Sequence, residues 1–328
     1  MVSGLPAPTT VILERAILSG CSVLNRGIPA QPKILAVVVL YKCSINQSST
    51  CISMRAQDAY DRDAISILIY DNSPIGDADD LPPNWVYVSD PTNKGLSAAY
   101  NHAISQAKLS GAHWLLLLDQ DSNLPRNFLA DLQGDVVLCQ EKSEIVAIVP
   151  LVFSNQRQVS PIRPMLGLDR PYEGTQTATS VWLTAINSAA AIRVSFVESI
   201  GGFSNDFWLD YLDHWLFRRI YDTAHLVYVS NMKIDHNLSV ANFNQGLEVS
   251  RYKNVLTAEA AFTNECLPIY WRLILTLRLI ARAIKHAIFT RNKSMALLMF
   301  WAAWKQVFSI FGLRSKKPYS RIYSENSV

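Results

Sequence analysis

Trp114-Leu115-Leu116-Leu117-Leu118-Asp119-Gln120-Asp121-Ser122 is an unbroken apolar run that ends on two carboxylates one residue apart. A strand apolar at every position has no solvent face, so it belongs in a parallel sheet covered by helices on both sides. Outward from it, Ile34-Leu35-Ala36-Val37-Val38-Val39-Leu40-Tyr41 and Ile65-Ser66-Ile67-Leu68-Ile69-Tyr70 have the same texture. The second closes on the turn sequence Asp71-Asn72-Ser73-Pro74, and shorter or later runs follow at Trp85 to Val88 and Ile145 to Val152. Leu96 to Leu109 and Phe128 to Leu138, between these runs, have helical composition. Strands alternating with helices predict βαβ units and an α/β fold with a mostly parallel sheet. Ligands of such sheets bind outside the carboxyl ends of the strands. That rule singles out Tyr41, Asp71, Asp119 and Asp121.

The composition, 49% hydrophobic and 17% charged over 328 residues, describes a chain with a large core and excludes general disorder. Its net charge of +3 is unevenly spread. From Trp271 to Val328 there are eleven Lys and Arg against one acid, leaving nineteen basic and twenty-six acidic residues before it. The cations lie among Leu, Ile, Phe and Trp, which suits an anionic membrane surface and not nucleic acid. Arg278, Arg282 and Lys285, spaced four and three apart, are expected to form one helical stripe. The most apolar stretch, Met295 to Leu313, carries Lys305 at its middle, so it is read as lying in the membrane interface and not crossing it. Five cysteines without a CxxC pair suggest reduced thiols in a cytosolic protein. The expected division is an N-terminal extension (1–32), a body (33–246, in two halves that divide at 150) and a basic helical extension (247–328).

Several residues could carry chemistry. Asp119 and Asp121, just after a strand, can reach a hard divalent cation that also holds a diphosphate; the plainer alternative is a helix cap. Asp71 can accept the imide N–H of uracil or thymine, or merely stabilise its own turn. Asn93, Lys94, Gly95 and Asn101 combine amide donors, a cation and a permissive glycine suited to phosphate, though a simple helix entry would also explain Gly95. In Phe207-Trp208-Leu209-Asp210-Tyr211-Leu212-Asp213-His214-Trp215, aromatic rings around a carboxylate would desolvate it and raise its basicity. His236 is either a metal ligand or a structural histidine.

From residue 34 to 240 the order and spacing of these motifs resemble the inverting nucleotide-sugar glycosyltransferases of family 2. In that family Val39-Leu40-Tyr41, Asp71-Asn72-Ser73, Asn93 with Gly95 and Asn101, Asp119 with Asp121, and a later acid succeed one another. Asn93-Lys94-Gly95-Leu96, Leu118-Asp119-Gln120-Asp121-Ser122 and Leu209-Asp210-Tyr211-Leu212-Asp213 look more narrowly like its rhamnosyltransferase branch. The resemblance implies a GT-A fold and Asp213 as general base, with Asp210 the other candidate. It also implies Mg²⁺ or Mn²⁺ on Asp121 with Asp119 and His236. Leu40, Tyr41, Asp71, Asn93, Lys94, Gly95, Asn101 and Asp119 would hold the nucleotide of a dTDP- or UDP-sugar, dTDP-rhamnose in the branch. The acceptor would be a lipid-linked glycan of cell-surface polysaccharide assembly, met at the cytoplasmic face of the membrane. Two positions depart from the branch: Trp215 stands where a second acid is usual, and Asn237-Leu238 replaces a Gly-Asp pair after the histidine. Trp215 keeps open an inactive nucleotide-sugar-binding scaffold of the same fold. A nucleotidyltransferase fits less well, because no glycine follows the first strand until Gly76.

Overall fold

The computed structural model describes residues 31–58, 60–165, 169–236, 249–289 and 293–310. The expected N-terminal extension therefore lies outside them, save its last two positions. The described residues from Pro32 onward form one compact unit. It begins with β1 (Ile34–Leu40), α1 (Ser49–Arg55), β2 (Ile65–Asp71), β3 (Trp85–Ser89), α2 (Gly95–Ser110) and β4 (Trp114–Asp119). Then come β5 (Ser122–Asn123), α3 (Phe128–Cys139), β6 (Ile145–Ser154), β7 (Arg157–Ser160), β8 (Ile162–Arg163), β9 (Arg170–Pro171) and β10 (Thr177–Thr179). The remainder is β11 (Ala190–Arg193), α4 (Val194–Ser199), α5 (Leu212–Asp222), β12 (Leu226–His236), α6 (Val249–Cys266), α7 (Ile269–Phe289) and α8 (Lys293–Ile310).

The main sheet has the order β10-β12-β6-β11-β4-β1-β2-β3, with β5 on β12 and β7 on β6. β3, β2, β1 and β4 are parallel, as are β6 and β12; β11 is inverted between β4 and β6. The carboxyl ends of β1, β2, β4, β6 and β12 therefore share one edge. Alternate residues of each apolar run enter different cores. Leu35, Val37 and Val39, with Leu115 and Leu117, pack on one face under α2, α4 and α5. Ile34, Ala36, Val38 and Leu40, with Leu116 and Leu118, pack on the other against α1 and α3. Burial on both faces is why these strands read as continuous apolar runs.

The helical segment is built into this body. Ala261 and Phe262 of α6, and Leu267 after it, belong to the core that covers α5. α7 and α8 close on α6 through Tyr252, Leu256, Leu279, Ala283, Met299 and Ala303, and the Thr276 hydroxyl donates to Gln306 at 3.0 Å. The three cations of the expected stripe all lie on α7. Arg278, Arg282 and Lys285 are all exposed, and Arg282 also reaches α6, where it pairs with Glu259 at 2.8 Å.

Candidate active site

Parallel register places the motif residues together: Leu40 stands opposite Asp71, and Val39 opposite Asp119. The backbone of the Asp119-Gln120-Asp121 turn is fixed from α1. The buried Thr50 hydroxyl donates to the Asp119 carbonyl at 2.5 Å and accepts from the Ser122 amide at 2.9 Å. Ser48, the cap of α1, donates to the Gln120 carbonyl at 2.7 Å, while the Gln120 side chain accepts from the Tyr41 amide at 2.8 Å. From the other side Ser188, just before β11, accepts from the Asp119 amide at 3.1 Å and meets the Ser122 hydroxyl at 2.5 Å. Thr50, Ser48 and Ser188 are site residues that motif reading passed over. Their one sequence signal was the serine capping a helix only seven residues long.

Asp119 is half-buried, and burial with added negative charge from Asp121 and Asp213 pushes its carboxyl up to about 7. The fully buried Tyr100 hydroxyl, without a hydrogen-bond partner, feels Asp119 and Asp213. Asn72 Oδ1 after β2 and Asn187 Oδ1 before β11 are likewise buried and unpartnered. Buried polar atoms without partners are uncommon and mark places where another group belongs. Asp119 and Asp121, one residue apart at the end of β4, suit a hard, oxygen-seeking cation. Among the described residues, however, no three His, Cys, Asp or Glu converge into a metal-holding group. The fit is thus to a cation that takes further ligands from a diphosphate. β5 pairs with β12 so that His236 lies opposite Ser122, next to Asp121 in sequence.

Other expected nucleotide contacts have visible partners within the protein. Asp71 is buried; it accepts from the Ser73 amide at 2.8 Å and from the Tyr87 hydroxyl at 2.7 Å. Gly95, at φ +87°, has the Trp208 carbonyl and indole ring where a Cβ would stand. The Trp208 indole N–H donates to the Asn93 carbonyl at 3.0 Å, and Leu96 donates to the Trp208 carbonyl at 2.8 Å. Gly95 therefore admits an aromatic side chain, and Lys94 stays exposed at the cap of α2. Asn101, expected beside the nucleotide, instead uses both ends of its amide on Phe203. It donates to the Phe203 carbonyl at 2.9 Å and accepts from its amide at 2.8 Å. It joins α2 to the Gly202 turn, and a side chain on Gly202 would strike it at 2.7 Å.

The two candidate bases are sharply different. Asp210 forms a two-pronged ion pair with Arg251 of α6, one bond being 2.6 Å. Burial still holds its carboxyl above the ordinary range, against the pull of that guanidinium. Asp213, in the first turn of α5, accepts from the His214 amide at 2.7 Å and takes part in no ion pair among the described residues. Trp215 is buried against Phe207 and donates to Glu265 of α6, so an acid absent from this position leaves no gap.

Residues 53–201 match the family model for glycosyl transferase family 2. The matched stretch contains Asp71, Asn93, Gly95, Asn101, Asp119 and Asp121; Asp213 and Arg251 lie beyond it. No curated protein matches the sequence. Among solved structures, S. aureus TarS 1–349 in complex with UDP-GlcNAc is similar at a TM-score of 0.51 and 12% identity, over 85% of this chain and 81% of that one. GalNAc-T7 with UDP, GalNAc and Mn²⁺ is similar at 0.54 and 12%, over 87% of this chain and 58% of that one. At such identities the likeness concerns the fold, which is that of the GT-A glycosyltransferases. Family match and fold together support a sugar-transfer function.

Proposed function

We propose that this chain transfers a sugar from a nucleotide diphosphate, L-rhamnose from dTDP-rhamnose by its motifs, to a hydroxyl of a lipid-linked glycan. The observation that carries the reading is that buried Asp119, at the end of β4, feels the negative charge of both Asp121 and Asp213, while Arg251 occupies Asp210. Asp213 takes the proton of the acceptor hydroxyl as its oxygen attacks the anomeric carbon. The bond to the diphosphate oxygen breaks on the opposite face, and the nucleotide departs. Mg²⁺ or Mn²⁺, held by Asp121 with Asp119 and His236, would supply charge neutralisation on that leaving group. Leu40, Tyr41, Asp71 and Asn93 shape the nucleotide side. The TarS and GalNAc-T7 structures, which carry UDP-GlcNAc and UDP with Mn²⁺, support this choice of ligand class.

The acceptor is proposed to be met at the cytoplasmic face of an anionic membrane. None of the described helices is long and apolar enough to cross one. Yet Leu273, Leu277, Ile284 and Ile288 of α7 are exposed, as are Leu297, Trp301 and Trp304 of α8. Each set keeps the three-and-four spacing of one helix face. Arg278 and Lys285 border the first set, and Lys305 lies 5.2 Å over the Trp301 ring. Each such cation near anionic lipid is worth about 1 kcal/mol.

The test is a transfer assay over a panel of labelled nucleotide sugars, with Mn²⁺ or chelator, on vesicles with and without anionic lipid. Metal-dependent transfer from one donor, with salt-sensitive vesicle binding, is expected. Absence of transfer and of hydrolysis with every donor would favour the scaffold reading.

A further inference from the structure

The segment that carries Asp213 is held by elements outside the family-matched stretch. Tyr211 has φ 64°, a left-handed conformation that costs a residue with a Cβ roughly 1–2 kcal/mol. Such a kink persists only when its surroundings impose it. Here the Tyr211 ring stacks on His214 at 4.8 Å and packs on Phe262 of α6 at 5.7 Å, while the Trp215 amide donates to the Tyr211 carbonyl at 2.9 Å. On the N-terminal side of the kink Asp210 is gripped by Arg251, and both side chains are less than one third exposed. Asp213 follows two residues after the kink, and its own recorded bond is to the amide of its neighbour, His214. Among the described residues, then, its direction is set by the turn that carries both residues.

We infer that Arg251 is a positioning residue for the reaction: by clamping Asp210 from α6 it fixes the Tyr211 kink and thereby aims Asp213 at the acceptor hydroxyl. This rests on Asp213 being the base. It makes α6 part of the catalytic apparatus. It also assigns Asp210 to holding the turn, a role its two engaged oxygens suit better than proton transfer. A guanidinium is required because only a planar fork meets both carboxylate oxygens at once.

The experiment measures steady-state kinetics of full-length Arg251→Met, Arg251→Lys, Asp213→Asn and the Arg251→Met/Asp213→Asn double variant with the active donor. Arg251→Met is expected to lower kcat roughly 10- to 100-fold, the scale of a misplaced reacting group. Donor KM should change by less than about threefold, because the donor side is built by other strands. Arg251→Lys should recover part of kcat. In the Asp213→Asn background the methionine substitution should cost nothing more, since the group it positions is already gone. An unchanged kcat in Arg251→Met, or an equal further loss on Asp213→Asn, would overturn the inference. If Arg251→Met fails to fold, the uncharged Asp210→Asn/Arg251→Gln pair takes its place with the same expected kcat loss. Near-normal turnover in Asp213→Asn alone would instead defeat the base assignment.

Discussion

The two halves of the site are held by different means. On the donor side the Asp119 turn is secured by backbone groups and short hydroxyls, with Thr50, Ser48 and Ser188 bonding peptide atoms next to the carboxylates. On the acceptor side the Asp213 turn is secured by long side chains from a distant helix, Arg251 and Phe262. The first arrangement keeps the carboxylates within a rigid sheet edge. The second leaves one carboxylate on a kink whose direction depends on helices packed from outside. A metal site needs fixed oxygens, whereas a base must fit acceptors of varied shape, so the contrast matches what each half is proposed to do.

The largest effect is expected from Asp121→Ala. It removes an oxygen from the rigid half without touching the core, so transfer and Mn²⁺-dependent nucleotide binding should both be lost while the melting temperature holds. Turnover like that of the unaltered chain would break the comparison at its first term. Asp213→Asn should be nearly as severe in turnover, by roughly 10² to 10⁴, the range for losing a general base. Donor binding, followed by calorimetry or thermal shift, should survive. A loss of donor binding here would mean that the two halves are not separate.

Their legibility differs in the same way. β1, β2, β4 and α2 could be read because their signals are local: apolar at every strand position, helical composition between, acids at the ends. β12 escaped notice. Its eleven residues include Ser230, Asn231, Lys233 and Asp235, and register shifts against β6 interrupt its alternation. That strand nevertheless brings His236 opposite Ser122. Asn101 shows a related limit: the spacing Asn93, Gly95, Asn101 is visible in sequence, but its partner Phe203 lies 102 residues away. Arg251 offers no local signal at all. A cation on a polar helix face reveals its partner only after the chain has folded.

A smaller effect is expected from Thr50→Val, which probes the rigid half without removing any acid. Valine keeps the shape but leaves the Ser122 amide and the Asp119 carbonyl without this buried partner. Orphaning such groups costs about 1–3 kcal/mol, readable as a lower denaturant midpoint. The apparent Kd for Mn²⁺ with nucleotide should weaken by a few-fold, because the carboxylates stay but their backbone loosens. Unchanged metal affinity in a destabilised variant would show that hydroxyl bonds hold the fold and not the site.

The smallest expected effect is on pH dependence, and it isolates the charge of the rigid half. The Asp119 carboxyl is held up to about 7 against 3.8 in an unperturbed chain, so the folded, metal-free protein keeps this proton where the unfolded chain has released it. An acid with a raised folded pKa contributes stability that is complete below the unfolded value and is lost as pH rises to the folded one. The metal-free protein should therefore lose stability between about pH 4 and 7 and level off above. Asp210, also raised, adds a fall of the same sign, so the decisive quantity is the difference between the unaltered chain and Asp119→Asn. Asparagine should flatten that part of the fall. Mn²⁺ with nucleotide competes for the ionised carboxylate, so its stabilisation should grow through pH 7 in the unaltered chain and stay nearly constant in the variant. Identical pH profiles for the two proteins would show that Asp119 is already ionised, and that the three carboxylates do not share one confined space.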